Sequence, residues 1–326
     1  MNKKFEMLKT TRNSYVQYNI YRIRALKDFS DVKKGDLGGW VQSESNLSQE
    51  GDCWIYDNAK VLSDAYVRGN AKVCDNAVMF GGVAYGNAKI FQNAIISEHA
   101  KVYGNAKIYG HTFINGYAKI YDNVRAFDYA EIKDHANVCG NAMIFCRAKA
   151  RNYVSIFGDA KVYGDTLVRN QAKVYGNANV YGDAEISHYS EVYGNSKISN
   201  NSKIMGNSFI FGNAEISENA IIKNSEIFGN SKIGGDAKIV NSKIYDTLYK
   251  NDSKYYLHLN TIYKDLTIFM NNKKEIMISF YGIDNMNIKT FEECLNTSYD
   301  KNDLIYKQLV LFINYAKEYF NILLAE

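Results

Sequence analysis

Histidine and cysteine are the residues of this chain best fitted to proton transfer, nucleophilic attack or metal binding. The chain has five of each among 326 residues: His99, His111, His135, His188 and His258, and Cys53, Cys74, Cys139, Cys146 and Cys294. The cysteines are odd in number and lack C-x-x-C spacing. They read as free thiols, neither a zinc set nor a disulfide framework. A catalytic histidine needs a fixed partner and a sheltered pocket. His99 and His135 have no carboxylate beside them beyond the adjacent Glu98 and Asp134, and the chain has no P-loop, G-x-S-x-G or H-E-x-x-H motif. No catalytic residue, metal or cofactor is assigned on these grounds. A second group of residues suits an anionic partner instead. It joins Arg125, Lys133, Arg147, Lys149, Arg151 and Arg169 with Tyr129, His135 and Tyr153.

Composition limits the partner. A net charge of +4 is too mild for a dedicated nucleic-acid binder, although a local basic patch leaves nucleic acid open. The first residues carry no apolar run of the signal-peptide kind, and no stretch reaches transmembrane length. A cytoplasmic protein without membrane contact is expected.

The elements that position these residues come from a repeat. Steps of six from Ile90 to Ile222 give 23 positions, all Ile or Val except Ala126 and Ala150. The same beat runs earlier at Ile55, Val61, Val67, Val73 and Met79, slips near Gly81 and Gly82, and continues at Ile227, Ile233, Ile239 and Ile244. In a phrase such as A-K-V-Y-G-N, Ala and Val point inward while Lys and Tyr point outward. Gly-Asn supplies the turn, because both tolerate left-handed backbone angles. A strand of four with a turn of two predicts a parallel β-solenoid. The absence of proline and the abundance of Tyr (27) agree with that.

The repeat resembles the hexapeptide-repeat proteins, and the stretch DVKKGDLGGWVQSESNLSQEGDCWIYDNA resembles the opening of YdcK-like members from bacterial and prophage genomes. The likeness covers about Val16 to Asp246. It implies a single-stranded left-handed parallel β-helix with three hexapeptides, eighteen residues, per triangular coil. It also implies an alternative function. Many such proteins are acyltransferases that use acyl-CoA or acyl carrier protein, with a histidine base, loops inserted out of the coil, and trimers. Here the run of 23 positions has no insertion to wall a pocket.

The expected fold is mainly β, with an N-terminal β cap over 1–50, a β-helix over 51–246 and a small α+β domain over 247–326. In the cap, SYVQYNIYRIRAL reads as an extended run followed by a Gly-Gly-Trp turn. In the last part, DLTIFM and EIMISF read as a hairpin across NNKK, Thr290 and Glu293 as a capping box, and Ile305, Leu309, Ile313, Ala316 and Phe320 as the apolar stripe of a helix.

Sorting by eighteen separates the faces. One corner carries an amide ladder, Asn105, Asn123, Asn141, Asp159, Asn177, Asn195 and Asn213, expected to satisfy turn amides between coils. Beside it run Tyr103, Tyr121, Cys139, Phe157, Tyr175, Tyr193 and Phe211; a second aromatic row is Phe91, Tyr109, Phe127, Phe145, Tyr163 and Tyr181. A third corner breaks the phrase with His99, Tyr117, His135, Tyr153, Gln171 and Tyr189, expected to be strained at a left-handed position. His99 and His135 then lie two coils apart, about 10 Å, too far to share a metal. The basic–aromatic residues gather around this corner. Lys107 and Lys161, on another face, are expected to carry no binding. The function expected is a non-enzymatic rigid scaffold, such as a phage or mobile-element accessory protein acting on a host factor. Its partner would be a protein or a phosphate-bearing ligand; a homo-dimer or trimer stays open.

Overall fold

The computed structural model describes residues 3–8, 19–245, 248–249, 256–260, 265–270, 276–280 and 283–325. The chain forms two compact units, Met1–Asn177 and Ala178–Glu326.

The first unit begins as an antiparallel sheet. Phe5–Leu8 pairs with Tyr21–Ala25, which pairs with Leu37–Val41. Residues 14–18 of the predicted extended run lie outside the described residues. Leu37–Val41 then pairs in parallel with Lys60–Leu62 and so starts the solenoid. Gly38 and Gly39 therefore sit in a strand, not in the expected turn. Their smallness has a packing cause: a Cβ on Gly38 would stand 2.6 Å from Ile23 and from the Ile55 carbonyl, and one on Gly39 2.4 Å from Ile55. The loop before this strand is pinned by Asp31, which accepts from the Tyr56 hydroxyl (2.8 Å) and the Lys72 ammonium (2.7 Å).

From Lys89 on, register partners in this unit lie eighteen residues apart, as in Lys107↔Arg125 and Arg125↔Met143. Three strands per coil are joined by two-residue turns. Each coil donates its backbone N–H groups to the next, as from Lys107 to the Val124 carbonyl (2.9 Å) and from Asn141 to that of Gly158 (2.8 Å). The interior is a column of fully buried Ala, Val and Ile. Where Ala126 and Ala150 break the aliphatic beat, Val124 and Val154 fill the neighbouring small places, and all four are fully buried. Volume is conserved by the exchange. The slip at Gly81 and Gly82 is a coil of seventeen, with Ile95 opposite Val78.

In the two-residue turns of the coils, left-handed backbone belongs to the first residue. It holds Gly104, Gly140 and Gly158, and also Asp122, Asp134, Cys146 and Asn152. The ladder residue that follows is not left-handed. His99, Tyr117, His135 and Tyr153 are therefore unstrained, contrary to the sequence expectation.

The second unit also contains coils, with register steps of eighteen, as in Lys197↔Glu215, and later of seventeen, as in Glu215↔Lys232. Serine replaces alanine inside. Ser196, Ser202, Ser208 and Ser231 are fully buried, and each hydroxyl donates to the carbonyl three residues back at 2.7–2.8 Å. Buried hydroxyls without such partners would be costly. The predicted hairpin is present as Asp265–Met270 against Ile276–Phe280, within a four-stranded antiparallel sheet; its NNKK turn lies outside the described residues. Two helices follow, α1 (Ile288–Ser298) and α2 (Leu304–Ala325). The cap of α1 is Asn287, whose side chain accepts from the Lys289 amide, so Thr290 lies inside the helix and the capping-box expectation is corrected. Leu309, Ile313 and Ala316 of α2 pack on Ile268, Ile278, Phe291 and Leu295, as the stripe predicts. The side chain of Phe320 lies outside the described residues.

Candidate functional site

The coil fixes each predicted residue by its place in the repeat. The third corner of the first unit holds Lys133, Arg151 and Arg169 as the residue between a strand and its turn, and His135 and Tyr153 as the second turn residue. Tyr129 and Arg147 occupy the preceding corner, and Lys149 lies on the strand between. Arg125 is carried away. It sits on the strand before that corner, paired with Lys107 and Met143.

The rings of the third corner form a column. Centroids are 4.9 Å apart for His99 and Tyr117, 5.0 Å for Tyr117 and His135, and 4.6 Å for His135 and Tyr153. His111 and Tyr129 stack likewise at the adjacent corner, 5.0 Å apart. These rings face water: Tyr117 is 54% exposed, Tyr129 62% and Tyr153 62%. Their spacing is the spacing of the strands beneath them. The sequence displays this column at intervals of eighteen, but there it is read as strained turns.

The cations are less free than their clustering suggests. Glu131, only 16% exposed at its side chain, contacts the Lys133 ammonium and accepts from Arg151 at 3.0 and 3.2 Å. Burial first, and then the neighbouring Arg151, lower the pKa of Lys133. Asp165 grips Arg147 at 2.6 Å through two guanidinium nitrogens. Arg169 is also engaged. Lys149 is exposed and makes no side-chain bond among the described residues. The carboxylates were legible too: Asp165 is eighteen residues beyond Arg147, and Glu131 eighteen before Lys149.

The amide ladder joins coil to coil by amide bonding, as its stacking implies, but does not serve the turn amides as expected. Asn105 donates to Asn123 (3.1 Å), Asn123 to Asn141 (3.1 Å) and Asn141 to Asp159 (2.9 Å), side chain to side chain. Asn195 donates to Asn213 in the second unit (3.1 Å), and Asn177 also has a partner. Turn amides are served instead by the left-handed residue one coil back. Asp122 accepts from the Gly140 amide (3.0 Å) and Asp134 from that of Asn152 (2.8 Å). Both aromatic rows stack as predicted, Tyr103 on Tyr121 at 4.8 Å and Tyr109 on Phe127 at 5.0 Å. Burial raises the pKa of Tyr103 to about 12.

Among the described residues, no three His, Cys, Asp or Glu side chains gather as a metal set, and no helix is long and apolar enough to cross a membrane. A cavity of about 570 Å³ lies in the N-terminal cap, between Lys27–Phe29 and Gln49–Asp52, remote in sequence from every predicted site residue. Below it Lys4 is buried, with its ammonium on the carbonyls of Glu50, Gly51 and Cys53 and on the Cys53 sulfur (3.3 Å). Burial lowers the pKa of Lys4 and raises that of Cys53.

No family model matches the chain. Over 78 residues it is 40% identical to a protein of Escherichia coli (strain K12) named as the uncharacterized acetyltransferase YdcK. The match spans 24% of this chain and 24% of that protein.

Proposed function

We propose that the protein is a non-enzymatic scaffold of the YdcK-like hexapeptide kind. It docks an anionic partner, a protein or a phosphate-bearing ligand, on the third corner of its first unit. The observation that carries this reading is the exposed ring column His99–Tyr117–His135–Tyr153, with Lys149 free beside it. Each ring is held by its neighbours, so little rotamer freedom remains to be lost on binding. The cations already leaning on Glu131 and Asp165 are pre-positioned for an incoming anion. In keeping with the resemblance to prophage proteins, we take the partner to be a host factor in the cytoplasm.

The test is affinity capture from the source cell with wild-type protein and with Lys149→Glu plus Tyr153→Ser. The double variant should stay folded, with a modest fall in melting temperature from the lost stack on His135 and the new acid opposite Glu131, and lose the captured partner. Equal capture by both proteins would move the site off this corner.

The name of the E. coli relative favours a second reading, an acetyltransferase. Against it, register partners keep a step of eighteen from Lys89 to Lys161 with no inserted loop, and His135 is stacked between Tyr117 and Tyr153 while His99 lies on Tyr117. Binding and turnover of acetyl-CoA separate the two readings.

A further inference from the structure

The strand that receives Arg125 belongs to a file of cations. In parallel register Lys72 stands beside Lys89, Lys89 beside Lys107, and Lys107 beside Arg125, with Met143 and then Lys161 after them. Lys72 is committed to Asp31. Lys89, Lys107, Arg125 and Lys161 are exposed, and among the described residues none of them has a carboxylate partner. Acids on the adjoining turns are occupied elsewhere: Asp122 and Asp128 accept from turn amides, and Asp159 from Asn141. Like charges directly opposite one another on neighbouring strands are destabilising. The second unit avoids this. There Lys197, Glu215 and Lys232 alternate in register, and Glu215 binds both lysines at 3.0 and 3.2 Å. Two rows flank the cation file, the amide ladder on one side and the half-buried stacked rings of Tyr109, Phe127 and Phe145 on the other.

We infer that this face is a second docking surface, and that its partner is a protein α-helix bearing one stripe of carboxylates, laid along the file. The spacing selects the helix. The cations repeat at strand spacing, about 4.8 Å, and the rings beside them at 4.8–5.0 Å. An α-helix returns a side chain to one face about every 5.4 Å. From Lys89 to Lys161 the mismatch accumulates to roughly 2–3 Å over four coils, within the reach of a lysine stem. An extended peptide repeats on one face only about every 6.7 Å, and each strand of a DNA duplex carries a phosphate about every 3.4 Å of helix axis. Single-stranded nucleic acid also needs ring faces for base stacking, and these rings spend their faces on each other. The ring row gives the apolar flank of an amphipathic helix a surface to lie on. The inference does not rest on the corner reading, because Lys149 lies on a different face.

The experiment is fluorescence anisotropy on the full chain. The probe is a synthetic helical peptide with Glu at alternating three- and four-residue spacing, and the control is its scrambled isomer. The striped peptide should bind at least about tenfold tighter than the scrambled one, and weaken as salt rises. Lys107→Glu with Arg125→Glu should lose that preference, and Lys107→Gln with Arg125→Gln should reduce it without any charge reversal. Lys203→Glu, in the second unit, should leave it intact. Equal binding of the two peptides would overturn the inference. So would tighter binding of a single-stranded DNA of equal charge, or unchanged binding by the glutamine variant.

Discussion

One guanidinium nitrogen of Arg151 reaches both carboxylate oxygens of Glu131, at 3.0 and 3.2 Å, from one coil farther along the chain. Lys133 shares the same carboxylate. The cluster of cations at the third corner is therefore built around an acid. Like charges gathered without an acid would repel one another, and removing them would leave stability unchanged or slightly raised. Glu131 reverses this for Arg151. Arg151→Glu would place a second carboxylate against Glu131 and should cost about 1–2 kcal/mol, since the pair is only partly shielded from water. Lys149→Gln, which brings no second acid opposite Glu131, should cost nothing measurable. Denaturant midpoints of the two single variants check the contrast.

Gly140 has φ +71°, and a Cβ there would stand 2.9 Å from the Gly158 amide nitrogen and carbonyl oxygen. Asp122 holds the equivalent place one coil earlier, at φ +58°. Left-handed backbone alone is therefore tolerated, and contact with the next coil adds to the cost. Gly140→Ala should lose about 1–3 kcal/mol, read from thermal unfolding. A loss near zero would mean that the coils can separate locally without cost.

Asn141 is exposed and bridges Asn123 and Asp159 through its side chain. Its own amide is satisfied by the Gly158 carbonyl. Asn141→Leu removes two side-chain bonds but leaves no turn amide orphaned. The expected loss is about 1 kcal/mol. A loss several times larger would restore a turn-satisfying role for the ladder.

Asp31 ties the N-terminal segment to the coils, and its bonds from Lys72 and Tyr56 lower its pKa to about 2. The folded carboxyl thus titrates below its ordinary value of 3.8. Its contribution is complete above about pH 4 and fades as pH falls toward 2. Asp31→Asn should lower the melting temperature at neutral pH, and the gap from wild type should close through that window. A gap that stays constant with pH would remove the ion pair from the account.

The beat from Ile90 to Ile222 made the solenoid legible, because six-residue periodicity admits few alternatives to a coil of short strands. The stacked rows of Tyr103 and Tyr109 followed from sorting by eighteen. What escaped were properties set across coils or by close approach. The left-handed turn residue was misplaced by one, since Gly and Asn both tolerate that backbone and the sequence does not say which adopts it. Gly38 and Gly39 looked like a turn because their crowding against Ile23 and Ile55 is invisible in one dimension. Glu131 was passed over because it belongs to a strand face while its partners occupy a corner. Lys107 and Lys161 looked like a solvated face until the register lined them up with Lys89 and Arg125 without an intervening acid.

The central claim, a binding scaffold and not an acyl-transfer enzyme, is tested most directly by titrating the full chain with acetyl-CoA in a calorimeter. The account predicts no saturable heat at micromolar protein and no acetyl transfer to a panel of amines and hydroxyls. Saturable micromolar binding that vanishes in His99→Ala or His135→Ala, with accompanying turnover, would contradict it.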